Sequence, residues 1–307
     1  MIKKALVTGG AGFIGSHLSK KLIERGYQVV ILDDLSTGKI ENIENLLKAN
    51  TASFIEGSVT KLALLKKLTK DTTYVFHLAA FASVPRSIEN PLACHKVNAD
   101  GTLNVLLASR DSKVKKVVFA SSAAVYGDTP TLPQKENMTL RPLSPYAVTK
   151  VTGEYYCRVF QQAYDLSTAS LRYFNVYGPR QDPNSQYASV IPRFIKEVSQ
   201  EKPPIIFGDG EQTRDFAFVK DVVDATILAA ETNATGVFNI ARGRSVSINE
   251  LTRLVIRIMG KNIEPLYEEP RAGDIKHSLA DISRAKAFGY KPKYNLEAGI
   301  KEMIRGY

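Results

Sequence analysis

The residues Ser144-Pro145-Tyr146-Ala147-Val148-Thr149-Lys150 place a phenol and an ammonium four positions apart behind a serine and a proline. Ser144 suits a helix N-cap and Pro145 the first helical position. Tyr146 and Lys150 are therefore predicted on one helical face, close enough to act on the same atom. A nearby positive charge favours phenolate over phenol, which makes Tyr146 the candidate general base near neutral pH. Ordinary surface helices also carry Tyr and Lys at this spacing, so the surrounding elements have to separate the two cases.

A second constellation opens the chain. Thr8-Gly9-Gly10-Ala11-Gly12-Phe13-Ile14-Gly15 joins an apolar run to a helical one, with Gly9, Gly12 and Gly15 at every third position. Glycines there permit a tight turn, close approach of backbone to a pyrophosphate, and close packing of helix on sheet. The Gly-Lys-Ser/Thr ending of a triphosphate loop is missing, which argues against a P-loop nucleotidase. Asp33 stands 18 residues beyond Gly15 at the end of the next apolar run, where a carboxylate grips ribose hydroxyls. A negative charge there disfavours the extra phosphate of NADP, so NAD is the predicted cofactor.

These residues need a scaffold. Strands are predicted at 5–8, 28–32, 53–56, 74–77, 116–120 and 168–172, with helices at 14–25, 61–68, 94–109 and 146–164 among them. This alternation predicts an α/β, Rossmann-type doubly wound parallel sheet, and Val117-Val118-Phe119-Ala120 reads as a strand buried on both faces. After about residue 176 the rhythm breaks at Pro179, Pro183, Pro192, Pro203 and Pro204, with helices expected near 189–199, 219–231 and 248–259. The expected division is a dinucleotide-binding domain of residues 1–176 with 215–241 returning to it. A smaller, largely C-terminal substrate-binding lobe, 177–214 and 242–307, would close a cleft over the carboxyl ends of the strands.

Composition narrows the class. A chain of 307 residues, 44% hydrophobic and 23% charged, is ordinary for a soluble globular protein. Its apolar stretches fall short of a membrane span, and the first strand begins almost at once, so no signal peptide is expected. Cys94 and Cys157 match no metal or redox spacing; a cytoplasmic home with free thiols, no metal and no membrane contact is the expectation. The net charge of +10 suits attraction of a phosphorylated substrate. Its basic residues are spread out and no nucleic-acid-binding motif accompanies them, so no nucleic-acid partner is expected.

Taken together, the glycine loop, Asn98, Ser121-Ser122, Val125-Tyr126-Gly127, the Tyr146/Lys150 pair and Arg172-Tyr173-Phe174-Asn175-Val176-Tyr177-Gly178 resemble the extended short-chain dehydrogenase/reductases. The resemblance runs nearly end to end and lies within the NAD-dependent epimerase/dehydratase family. The chain is most similar there to the UDP-N-acetylglucosamine 4-epimerases, through Ser83-Val84-Pro85-Arg86-Ser87 and Arg180-Gln181-Asp182-Pro183-Asn184. The resemblance implies Tyr146 as the base, Lys150 as the lysine that lowers its pKa and holds the nicotinamide ribose, and Ser122 as the hydroxyl orienting the reacting oxygen. Ser121, its strand neighbour, should face the other way. Implied NAD contacts are Gly9, Gly12, Phe13, Ile14, Gly15, Asp33, Asp34, Ser36, Thr37, Gly38, Ser58, Val59, Leu78, Ala79, Ala80, Asn98 and Tyr173, together with Tyr146 and Lys150. Implied substrate contacts are Ser83, Asn175, Val190, Phe194, Arg214, Arg271, Asp274 and Ser278, together with Ser122 and Tyr146.

Three positions refine the implied activity. Ala123 and Ala124 follow Ser122 where dehydratases of the family need an acid pair, so dehydration is not expected. Ser278 falls where glucose-specific epimerases carry a bulky tyrosine, which leaves room for a 2-acetamido group. Ser58 replaces the usual aspartate near the adenine and weakens that contact. The implied reaction is 4-epimerisation of UDP-GlcNAc/UDP-GalNAc, with UDP-Glc/UDP-Gal as further substrates. It runs through a transient 4-keto sugar on tightly bound NAD, in a homodimer built on helices 94–109 and 146–164. UDP-glucose 4-epimerase proper, a nucleotide-sugar dehydratase or reductase, and a non-catalytic nucleic-acid-binding scaffold of the same fold stand as the alternatives.

Overall fold

The computed structural model describes residues 3–182, 189–270 and 275–305. Apolar runs without alternation become strands covered on both faces. β1 (Lys4–Thr8), β2 (Gln28–Asp33), β3 (Ala52–Glu56), β4 (Tyr74–His77), β5 (Lys116–Ser122) and β6 (Thr168–Tyr173) pair in parallel. Each falls within two residues of its predicted span. Helices α1 (Phe13–Glu24), α2 (Glu44–Lys48), α3 (Leu62–Leu68), α4 (Val84–Glu89), α5 (Pro91–His95), α6 (Gly101–Asp111) and α7 (Pro145–Tyr164) lie between them. The single helix predicted over 94–109 is instead α5 and α6 separated by a π-turn at Lys96–Asp100. Such a bulge admits an extra residue into the turn, and here it carries the buried Asn98.

Beyond β6 the chain makes β7 (Val176–Tyr177), α8 (Val190–Ser199), β8 (Ile205–Phe207), β9 (Thr213–Asp215), β10 (Ala217–Phe218) and α9 (Val219–Glu231). It then forms β11 (Gly236–Ile240), which rejoins the main sheet beside β6 with Ile240 opposite Tyr173. The described sheet thus has seven strands, in the order β3-β2-β1-β4-β5-β6-β11. The remaining elements are β12 (Ser245–Ser247), α10 (Ile248–Ile258), β13 (Leu266–Glu268), α11 (Ser283–Ala287) and α12 (Leu296–Ile304). Small pairs β7/β10, β9/β12 and β8/β13 brace this second region. α10 starts with a capping box, Ser247 and Glu250 each satisfying the other's backbone amide.

Two apolar layers hold the sheet: Leu18, Leu22 and Val222 among others on the α1/α9 side, and Leu65, Val105 and Phe160 on the side of α3, α6 and α7. Each such buried side chain contributes roughly 2 kcal/mol. The strands run in one direction, but their order of addition reverses between β1 and β4, where a crevice forms outside the carboxyl ends. Gly9, Asp33, Leu78, Ser122 and Tyr173 all sit at or just beyond those ends.

Candidate active site

Gly9 leaves β1 with φ of +71°, and a Cβ there would lie 2.6 Å from the Ala79 nitrogen beyond β4. Only glycine fits both constraints. A Cβ on Gly15, in the first turn of α1, would meet the Gly9 carbonyl oxygen at 2.1 Å, so the helix lies directly on the loop. Gly12 is the N-cap and offers no side-chain acceptor, and no acidic residue occupies the first turn. By helix geometry the amides of Phe13, Ile14 and Gly15 lack intrahelical partners, and the positive end of the helix dipole favours an anion there.

Asp33 is buried at the end of β2. Its Oδ2 accepts from the Ala11 N–H and its Oδ1 from the Leu35 N–H, each at 2.9 Å. Burial pushes its pKa up, while these backbone donors pull it back. The carboxylate therefore braces the glycine loop and keeps lone pairs for ribose hydroxyls. In the following segment the Asp34 Oδ1 accepts from the Ser36 hydroxyl at 2.6 Å. Thr37 and Gly38 lead to Lys39, whose N–H reaches the Ala11 carbonyl at 3.1 Å. Asn42, which the sequence did not flag, donates to the same carbonyl at 2.9 Å. The Leu78 and Ala79 amides return to Thr8, bonding its carbonyl at 3.1 Å and its hydroxyl at 3.3 Å, and Ala80 follows. Ser58 is engaged locally, accepting from the Thr60 hydroxyl at 3.1 Å, and Val59 is buried.

Three successive residues of β5 meet α7. The Ala120 carbonyl accepts from the Lys150 ammonium at 2.8 Å and the Ser121 hydroxyl donates to Glu154 at 2.6 Å, while the Ser122 hydroxyl accepts from the Ala124 N–H at 3.2 Å and lies near enough to the Tyr146 phenol to lower its pKa. Ser121 and Ser122 thus turn to different partners. The helix begins as its sequence predicts: the Ser144 hydroxyl accepts from the Ala147 N–H at 3.1 Å, with Pro145 at the first position. The Tyr146 N–H is held by Ser87 of α4 at 3.2 Å.

The electrostatics correct one expectation. Tyr146 was expected to acidify because of Lys150. Instead burial raises the phenol pKa, Ser122 is the group that lowers it, and the thiol of Cys94 opposes. Lys150 points its ammonium at Ala120, 5.6 Å from the Tyr146 ring centroid and 5.0 Å from that of Phe119. Burial brings its own pKa down to about 8. His77, bonded to Thr8 and Thr102, is held neutral by burial and by Lys150, with a pKa of about 3.

Asn98 uses its Oδ1 to accept from the Phe81 N–H at 2.7 Å and its Nδ2 to donate to the Thr149 hydroxyl at 3.0 Å. It joins the loop after β4 to α7 and holds that helix in place. Tyr173 is buried opposite Ser122, its hydroxyl 2.8 Å from that of Thr226.

Two residues beyond Tyr173, Asn175 opens a cleft of about 200 Å³, lined also by Val190, Arg193, Phe207, Gln212 and Arg214. The Arg214 guanidinium donates to the Thr213 carbonyl at 2.9 Å, and Arg193 packs over the Phe194 and Phe207 rings.

Residues 5–241 match the NAD dependent epimerase/dehydratase family. The chain belongs to that family. Its cofactor is accordingly NAD, and the glycine cradle, the open first turn of α1 and the braced Asp33 fit a dinucleotide. Among solved structures, the UDP-N-acetylglucosamine 4-epimerase from Methanobrevibacter ruminantium, in complex with UDP-N-acetylmuramic acid, is 44% identical with a TM-score of 0.96, covering 99% of this chain and 98% of that one. The UDP-glucose 4-epimerase from Thermotoga maritima, with UDP-glucose, is 41% identical with a TM-score of 0.94, covering 99% and 98%. The UDP-glucose 4-epimerase of Mycolicibacterium smegmatis is 39% identical over 98% of this chain and 97% of its own.

Within this epimerase/dehydratase fold, several substrate-side expectations shift. Arg271 and Asp274 lie outside the described residues. Phe194 is fully buried in the core and does not line the cleft; Arg193 beside it does. Ile191, Phe194, Ile195 and Val198 recur at helical spacing as one apolar stripe, a signal that places Phe194 on the core face. Ser83 is half-buried and caps α4, accepting from the Arg86 N–H at 3.4 Å. Ser278 is buried, donating to the Gln134 side chain at 3.4 Å. Gln134, Arg193, Phe207 and Gln212 were not singled out from sequence, because nothing local distinguishes them.

Proposed function

We propose that this protein is a UDP-hexose 4-epimerase acting on UDP-GlcNAc and UDP-GalNAc, and on UDP-Glc and UDP-Gal. The observation that carries the reading is the placement of Tyr146 in the first turn of α7 near Ser122 at the carboxyl end of β5, beside the dinucleotide crevice, followed by Ala123 and Ala124, which have no proton to give. Tyr146 takes the proton from the sugar 4-hydroxyl, and Ser122 holds that oxygen in line. Lys150 keeps a positive charge close to the phenol. NAD accepts a hydride from carbon 4 and returns it to the opposite face, and its positively charged ring adds to the preference for phenolate.

The resulting 4-keto sugar must turn over before it is reduced. Anchoring the nucleotide diphosphate remotely, with Arg214 and Arg271 as the cationic groups, leaves the sugar free to rotate. No net oxidation occurs, which supports NAD staying tightly bound. The small Ser278 side chain supports admission of a 2-acetamido group. The relative crystallised with UDP-N-acetylmuramic acid is consistent with a roomy sugar pocket.

In this reading residues 1–176 and 215–241 hold NAD, and 177–214 and 242–307 hold the UDP-sugar. Val148, Tyr155 and Val159 leave an exposed apolar stripe on α7, and Leu92 is exposed on α5. That supports a homodimer joined through these helices in a cytoplasmic enzyme. Among the described residues, no helix is long and apolar enough to cross a membrane. The deciding experiment incubates purified protein with UDP-GlcNAc, UDP-Glc and UDP-GlcA and follows each by NMR. Appearance of UDP-GalNAc supports the reading. Conversion of UDP-Glc alone overturns the assignment of Ser278, and no conversion of any sugar overturns the 4-epimerase itself.

A further inference from the structure

α7 carries three polar residues at successive four-residue steps, Tyr146, Lys150 and Glu154: Lys150 bonds Ala120 of β5, Glu154 bonds Ser121, and Tyr146 lies near Ser122, which lowers its pKa. Two of these contacts belong to the reaction proposed above. The third lies one level deeper and does not reach the substrate. Glu154 is 4% exposed, and its carboxylate is gripped by Arg172 through Nε at 2.8 Å and Nη2 at 2.7 Å. Arg172 lies on β6 in register with Ser121. Its Nη1 donates to the Tyr126 hydroxyl at 2.8 Å, and Tyr126 donates to Asn239 of β11 at 2.7 Å. Tyr126 ends the short 3-10 turn that begins directly after Ser122.

We propose that Glu154, clamped by Arg172, is a positioning residue that sets the Ser122 hydroxyl against Tyr146 by fixing β5 on both sides of it. Ser121 is held on one side and, through Arg172, Tyr126 is held on the other. A strand end has no ladder partner beyond its last residue, so its side-chain orientation depends on such clamps. A buried ion pair with both members fully hydrogen-bonded contributes fixed geometry. The carboxylate also lies along the helix from Lys150 and favours that residue's charged form, as does Cys94; Tyr146, His77 and the Phe119 ring are the other groups near that ammonium.

The proposal deepens the 4-epimerase reading, and its test separates the two. Wild type, E154Q and S121A are assayed on UDP-GlcNAc and UDP-Glc across pH, with thermal unfolding measured in parallel. E154Q should lose about tenfold to a hundredfold in kcat, the scale of an ångström-sized misplacement, with the UDP-sugar KM nearly unchanged. Its alkaline limb should move to lower pH, because Lys150 loses a supporting negative charge. S121A, which removes the Ser121 arm of the clamp but no charge, should lose kcat without moving that limb. A wild type active on these sugars together with unaltered kcat in both variants overturns the proposal and leaves the epimerase standing. If E154Q does not fold, S121A decides, and a kcat equal to wild type overturns the proposal. A wild type inactive on every UDP-sugar overturns the epimerase reading and the proposal with it.

Discussion

Lys150 donates to the carbonyl of Ala120 at 2.8 Å, so the cation that was expected to serve Tyr146 is tied to β5 two residues before Ser122. The bond does two things. It docks the catalytic helix on the strand carrying Ser122, and it fixes where the charge sits relative to the phenol. Burial raises the Tyr146 phenol pKa, against the nearby Ser122 hydroxyl, which lowers it.

Lys150→Met follows from the depressed lysine pKa. The folded state holds this proton less tightly, with a pKa of about 8 against the ordinary lysine value of 10.5. Between those values the unfolded chain binds more protons, so stability rises with pH there. The burial cost, on the order of 3 kcal/mol, is present in full below about pH 8 and relieved toward pH 10.5. Replacing the ammonium should raise stability most at neutral pH, with the difference from wild type shrinking by pH 9.5. Urea unfolding of both proteins at the two pH values checks it, and turnover should nonetheless fall sharply.

Tyr146→Phe removes only the phenolic oxygen. Loss of a positioned acid–base group costs about a hundredfold to ten-thousandfold in rate. The variant should keep its circular dichroism spectrum and its bound NAD while kcat collapses. A folded variant with near-normal turnover would refute the mechanism.

The glycine loop predicts a ranking. Gly15→Ala drives a Cβ to 2.1 Å from the Gly9 oxygen, whereas Gly12→Ala brings its Cβ only to 3.2 Å from the same atom. Overpacking of the first kind costs about 1–3 kcal/mol and displaces the first turn of α1. Gly15→Ala should retain less NAD after gel filtration than Gly12→Ala, as read from nucleotide released on denaturation.

Arg214 and Phe194 separate the cleft from the core. Arg214→Ala should raise the UDP-sugar KM by about tenfold or more while leaving kcat within about twofold, the pattern of a uniform-binding contact. Phe194→Ala should instead lower unfolding free energy by about 3–5 kcal/mol and act on KM only indirectly. Steady-state kinetics and denaturation of both variants decide whether Arg214 acts from the cleft and Phe194 from the core.

Much of the site was legible because its signals are local. Ser144-Pro145 gave the start of α7, and the Gly9/Gly12/Gly15 spacing gave the loop. Apolar runs gave β1 to β6 within two residues. The core-facing stripe of Phe194 with Ile191, Ile195 and Val198 was readable too, from its helical spacing. The π-turn at Asn98 was beyond reach, since it answers to partners at Phe81 and Thr149 on other elements.

The sequence by itself determined the fold class, the dinucleotide loop and the presence of a tyrosine–lysine pair, because each follows from backbone periodicity or from residues a few positions apart. The tertiary structure alone decided which way those groups face. Lys150 turns to Ala120, and Glu154 is caught between Ser121 and Arg172. These outcomes depend on contacts between segments distant along the chain, whose geometry no local pattern encodes.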